Sequence, residues 1–159
     1  MAETMSNLGR LTEAEEYSGK WLSKSNELGE DAIFNRHRFA LILWMNGKKE
    51  EASKMFYKHI EVCKNSIQSG SLYGKSLAAY DLAGIYAFLG NKNEAYNWLR
   101  RYEKDGFIWG YHQYIYIDPL FESLRDEPEF KTIMRRVQHE KETLRSQIQE
   151  MEKEGDPDL

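Results

Sequence analysis

Cysteine occurs once, at Cys63, so no internal disulfide framework holds this chain, and a lone thiol fits a reducing compartment. With 3 Pro and 11 Gly in 159 residues, the sequence has too little of either for flexible linkers or low-complexity tracts. No apolar run approaches the roughly 18 residues that a membrane-spanning helix needs. The first ten residues lack the basic and then apolar order of a secretory leader. An excess of positive charge is missing as well. The formal net charge of −4 argues against a general nucleic-acid binder, which needs a basic face to neutralise phosphates. These absences imply a cytoplasmic setting with neither membrane nor nucleic acid as partner, unless a longer parent protein carries an address upstream. What is present is ordinary for a folded domain: 41% hydrophobic and 30% charged residues, enough for a sizeable core.

One seven-residue pattern appears three times, as Leu8-Gly9-x-x-x-Glu13-Ala14, Asn46-Gly47-x-x-x-Glu51-Ala52 and Leu89-Gly90-x-x-x-Glu94-Ala95. Each copy lies beside stretches with helical periodicity. A Gly that ends one helix, with an Ala five residues on packed inside the next, is the hinge of a helical hairpin. Hairpins repeated in this way stack into a solenoid.

The spacing of apolar residues predicts a helix over about 12–27, with Thr12 and Glu15 as a capping box and Tyr17, Trp21 and Leu22 on its apolar side. A second helix runs from Asp31 to about Asn46, and a third from about Lys49 to Ser66. Ser69-Gly70-Ser71 breaks the third. A fourth spans about 73–89 and a fifth about 92–104, the latter opened by an Asn91-x-x-Glu94 capping box. The texture then changes. Phe107, Trp109, Tyr111, His112, Tyr114 and Tyr116 interleave with Ile108, Ile115 and Ile117, with no helical period. Asp118-Pro119 starts a short helix through Leu124, since proline suits a first turn. Asp126 caps a last helix that reaches towards Glu152. The organisation expected is helical hairpins over 1–105, an aromatic capping segment over 106–126, and a terminal helix with a frayed tail over 127–159.

The second and third Gly copies align at a shift of 43 residues with six identities: Ala40/Ala83, Ile42/Ile85, Gly47/Gly90, Lys49/Lys92, Glu51/Glu94 and Ala52/Ala95. The pattern resembles the tetratricopeptide repeat: large–small in the first helix, then an aromatic, a turn Gly, an Ala and a large apolar residue. Leu82-Ala83-x-x-Tyr86, Gly90, Ala95 and Leu99 fit it closely, and Phe39-Ala40-x-x-Leu43, Gly47, Ala52 and Phe56 less fully. The family's early Trp is Arg36 in one unit and Ala79 in the other, and its closing Pro is absent. The interval also exceeds the family's period of about 34. The segment from Gly106 to about Arg136, with Asp118-Pro119-Leu120-Phe121 and Leu124-Arg125-Asp126-x-Pro128-x-Phe130, resembles the stretch that closes such arrays in multidomain bacterial proteins. The resemblance implies an all-α, right-handed α-α superhelix and protein or peptide binding. Because the first copy has a second helix but no first, the chain reads as a piece of a longer array.

If the hairpins stack as the resemblance implies, the non-core sides of the second and fourth helices line a concave groove. The candidate partner-binding residues there are His37, Arg38, Leu41, Trp44, Tyr80, Asp81 and Phe88, with Trp44 and Tyr80 as aromatic anchors. The Lys and Asn with which some family members grip a C-terminal carboxylate are not at these places. His37, His59, His112 and His139 form no His-x-x-x-His pair and neighbour no Cys, so the spacing implies no metal site. Asp118, Glu122, Arg125 and Asp126 cluster, but capping accounts for them better than acid–base chemistry. No phosphate loop, nucleophile elbow or other catalytic motif is present. The expectation is therefore a non-catalytic binding scaffold without cofactor. The rival reading is a small-molecule sensor or small enzyme using the same groove. Alternating charge and a sparse apolar stripe on the last helix leave pairing with a second copy open.

Overall fold

The computed structural model describes residues 9–27, 36–104 and 111–154. These form α1 (Leu11–Glu27), α2 (Arg36–Met45), α3 (Lys49–Ser69), α4 (Leu72–Ser76), α5 (Ala78–Phe88), α6 (Lys92–Lys104) and α7 (Pro128–Glu154). Two short 3-10 helices, Tyr111–Tyr116 and Pro119–Phe121, lie between the last two. No strand is present among the described residues, so the chain is all-α as expected. It divides into two compact units, Met1–Ile85 and Tyr86–Leu159, with the chain passing from one to the other inside α5.

The repeated sequence is a repeated structure at its turns. Gly9, Gly47 and Gly90 have φ of 74, 82 and 82°, the left-handed region that glycine enters without a Cβ penalty. Behind Gly47, the Gly47 N–H bonds to Trp44 O at 3.0 Å, Lys48 N–H to Leu43 O at 2.9 Å and Ala52 N–H to Lys48 O at 3.0 Å. Behind Gly90 the same three bonds recur, to Ala87 O at 3.1 Å, Tyr86 O at 2.8 Å and Asn91 O at 3.0 Å. The first two of each set are the paired bonds with which a helix closes on a left-handed residue. Ala14, Ala52 and Ala95, which follow the three glycines, are fully buried. The Ala14 N–H repeats the third bond, to Arg10 O at 3.0 Å.

In the first unit, the core combines Ala40, Leu41, Ile42 and Leu43 of α2 with Ala52, Phe56, Ile60 and Cys63 of α3. α1 is tied to the turn after α2. Asn46 Nδ2 donates to Leu11 O at 3.1 Å and to the Glu15 carboxylate at 2.7 Å, and Lys48 Nζ donates to the same carboxylate. This corrects the expected capping box. α1 starts at Leu11, which puts Thr12 inside the first turn, and Glu15 serves a distant turn instead of its own N-terminus. The expected start of the second helix at Asp31 lies outside the described residues.

The single helix expected over 73–89 is two. α3 runs on to Ser69 and closes on Gly70 at φ 67°. Ser71 then caps α4, its Oγ accepting from Gly74 N–H at 3.1 Å. A Cβ on Gly74 would sit 2.0 Å from the Ser66 carbonyl oxygen, so α4 lies directly on the last turn of α3. The chain re-enters a helix at Ala78, and α5 is buried along most of its length, through Ala78, Ala79, Tyr80, Leu82, Ala83, Ile85 and Ala87.

In the second unit, Ala95, Leu99 and Tyr102 of α6 are buried, as are Phe130, Ile133, Met134 and Val137 of α7. Lys92 Nζ and Tyr96 Oη both donate to Glu127, Arg100 pairs with Glu129, and Arg136 forms a two-point contact with Glu103. Asp118 caps the second 3-10 helix as expected, its Oδ1 accepting from Leu120 N–H at 3.0 Å. Arg125 Nη2 donates to the Asp118 carbonyl at 2.7 Å. Asp126, expected to cap the last helix, is exposed and faces Lys131 Nζ at 3.3 Å. In the aromatic stretch, Ile115 is buried while Tyr114, Tyr116 and Ile117 are exposed. Residues 105–110 and the side chains of Tyr111 and His112 lie outside the description.

Candidate functional site: a buried histidine and aspartate cluster

Four of the seven residues expected to line an open groove are buried: His37, Leu41, Tyr80 and Asp81. The reason is positional. α2 and α5 bury more than one face, so the side taken from periodicity as non-core is interior at these positions. Arg38, Trp44 and Phe88 are half-buried. Trp44 keeps a solvent-facing edge, with Lys49 Nζ 5.4 Å from its ring centre.

The buried polar residues gather in one place. His37 from α2, His59 from α3 and Asp81 from α5 each offer a ligand atom, all within 4.8 Å of one another. His59 Nε2 lies 3.1 Å from Asp81 Oδ2, and His37 Nδ1 lies 3.6 Å from the same oxygen. The two imidazole rings are 4.8 Å apart at their centres and tilted by 34°. Tyr73, brought in by α4, donates its hydroxyl hydrogen to Asp81 Oδ2 at 2.5 Å. Its oxygen also lies 3.1 Å from His59 Nε2 and 3.1 Å from Cys63 Sγ. Because the one phenolic hydrogen goes to Asp81, the Cys63 thiol is the donor in its own contact with Tyr73.

Burial alone would raise the Asp81 pKa. The positive field of His37, the hydrogen bond and charge of His59 and the hydrogen bond from Tyr73 outweigh it and hold the carboxyl below its ordinary value. Burial, with the Asp81 charge adding to it, pushes the Tyr73 phenol far above the usual range. The same two causes lift the Cys63 thiol to about 12. The cluster is thus a buried carboxylate, two imidazoles, a protonated phenol and a protonated thiol. His59 Nδ1 is buried and finds no hydrogen-bond partner among the described residues.

The sequence reading found part of this. It placed His37 and Asp81 on facing sides of their helices, but as surface residues. It left His59 out and took the histidines as too scattered for a metal. His59 did carry a signal: it sits three residues after Phe56 and four before Cys63, on the apolar stripe of α3. His139 is exposed on α7, away from any such group.

The site and fold define an all-helical protein with a recurring glycine-closed turn and a polar cluster inside one unit. Comparison with known proteins adds no relative: no protein-family model, curated protein or solved structure matches the chain. Among the described residues no helix is long and apolar enough to cross a membrane.

Proposed function

We propose that this chain is a non-catalytic scaffold that binds a protein or peptide partner, built as a tetratricopeptide-like array. The observation that carries this reading is the turn. Three glycines with the same left-handed torsion each precede a buried alanine, and at two of them the same three backbone bonds recur. A structural unit that repeats along a chain is the basis of solenoid binding proteins. With Tyr80 and Leu41 interior, the candidate contact residues of the first unit reduce to Arg38 and Trp44.

A peptide library panned against the whole chain tests this. The expected result is an enriched peptide whose affinity falls roughly thirty-fold in Trp44→Ala, which corresponds to the loss of about 2 kcal/mol typical of an aromatic anchor. The variant's circular dichroism should stay helical. Peptides that bind the Trp44→Ala and Arg38→Ala variants as tightly as the parent would place binding on another face. A chain that enriches no peptide but binds small molecules would favour the sensor.

A further inference from the structure

We propose that His37, His59 and Asp81 are the three protein ligands of a site for a divalent transition-metal ion of the zinc class, inside the first unit. The three residues stand at equal intervals of 22 along the chain, on three different helices, and the fold alone brings them together. All three are buried, at 2%, 0% and 6% exposure. Two imidazoles and one carboxylate are a recurrent ligand set for such ions.

The geometry is close to what an ion requires. Zinc bonds of about 2.0–2.1 Å in a tetrahedron separate the ligand atoms by roughly 3.3 Å. Here the two edges that meet at Asp81 Oδ2 measure 3.1 and 3.6 Å. The remaining imidazole–imidazole edge lies within 4.8 Å. The Tyr73 hydroxyl supplies the outer partner that ligating carboxylates commonly have, holding Asp81 from the side.

His59 Nδ1 is buried and meets no hydrogen-bond partner among the described residues. To ligate through Nε2, His59 carries its hydrogen on Nδ1, which leaves the Nε2 lone pair for the ion. Asp81 contributes the negative charge, and Tyr73 keeps its proton.

The test uses the whole untagged chain, stripped with chelator and refolded with zinc chloride alone, since the closed site loads most readily as the unit folds. The expected stoichiometry is one zinc per chain, with a raised thermal midpoint. His37→Gln, His59→Gln and Asp81→Asn should each weaken zinc binding by about 100-fold or more, and Tyr73→Phe by about tenfold, in line with loss of ligands and of an outer partner. His139→Gln, on the exposed face of α7, should bind as the parent does. If the ligand variants fail to fold, X-ray absorption on the zinc-loaded parent decides. A shell with two imidazole nitrogens upholds the site, and a shell without imidazole overturns it. Absence of stoichiometric zinc at micromolar concentration, or full binding by a folded His59→Gln protein, also overturns it.

Discussion

Cys63 shows how burial sets the chemistry of a single side chain. Its sulfur is fully buried, and its thiol is pushed up to about 12 by that burial and by the Asp81 charge. A thiol that neither ionises nor meets solvent is inert towards oxidants and alkylating reagents. A disulfide reagent at pH 8 should therefore leave Cys63 unmodified in the native protein and titrate one thiol in guanidinium. Rapid labelling of the native chain would mean that α4 does not stay seated over α3. The sequence disclosed the apolar setting of Cys63 from its place on a helical stripe. It could not disclose that Tyr73 and Asp81 stand beside it, because those contacts depend on where α4 and α5 fall relative to α3. The same limit hid the histidine cluster. Short-range spacing detects ligands on one helix turn, and His37 and His59 are 22 residues apart on separate helices.

At the scale of elements, the glycine turns were the most legible feature of the chain, because a left-handed residue leaves a mark that few other residues can replace. Gly90 has open space where a Cβ would lie, so Gly90→Ala should cost only the torsional penalty, about 1–2 kcal/mol. Gly74 carries no such torsion, yet a Cβ there would run into the Ser66 backbone. Gly74→Ala should thus destabilise more than Gly90→Ala, and chemical denaturation of the two variants compares them. Equal midpoints would show that α4 can lift off α3 without cost. Ala95→Leu should overpack a site with no exposed surface and cost about 1–3 kcal/mol in the same assay. The break between α4 and α5 was not legible. Tyr73, Leu77 and Tyr80 keep helical spacing across it, so periodicity alone reads one helix.

At the scale of the whole molecule, two compact units meet within the sequence of one helix. In the second unit, α6 and α7 are joined at Glu127 by Lys92 and Tyr96. The hydrogen bond from Lys92, then that from Tyr96, lower the Glu127 pKa from 4.5. A carboxyl whose folded pKa is depressed stabilises the fold fully above the unfolded value. That contribution disappears as pH falls through the lower folded value. Carboxyl resonances followed by NMR should show Glu127 titrating below 4.5, and Lys92→Ala should move it part of the way back. A value of 4.5 in the parent would mean that the contact is not populated. Further along α7 the balance differs. Val137 is the last buried side chain of this helix among the described residues, and every described side chain from Gln138 to Lys153 is exposed, Leu144, Ile148 and Met151 included. Helix without a packed face draws little stability from the core, since isolated helices are marginal in water. Ending the chain after Glu140 should therefore remove helical ellipticity in proportion to the residues lost while leaving the thermal midpoint nearly unchanged. A large fall in that midpoint would mean that the exposed stripe is covered in solution. The midpoint's dependence on protein concentration would then show whether a second copy covers it, because stability that comes from self-association rises with concentration.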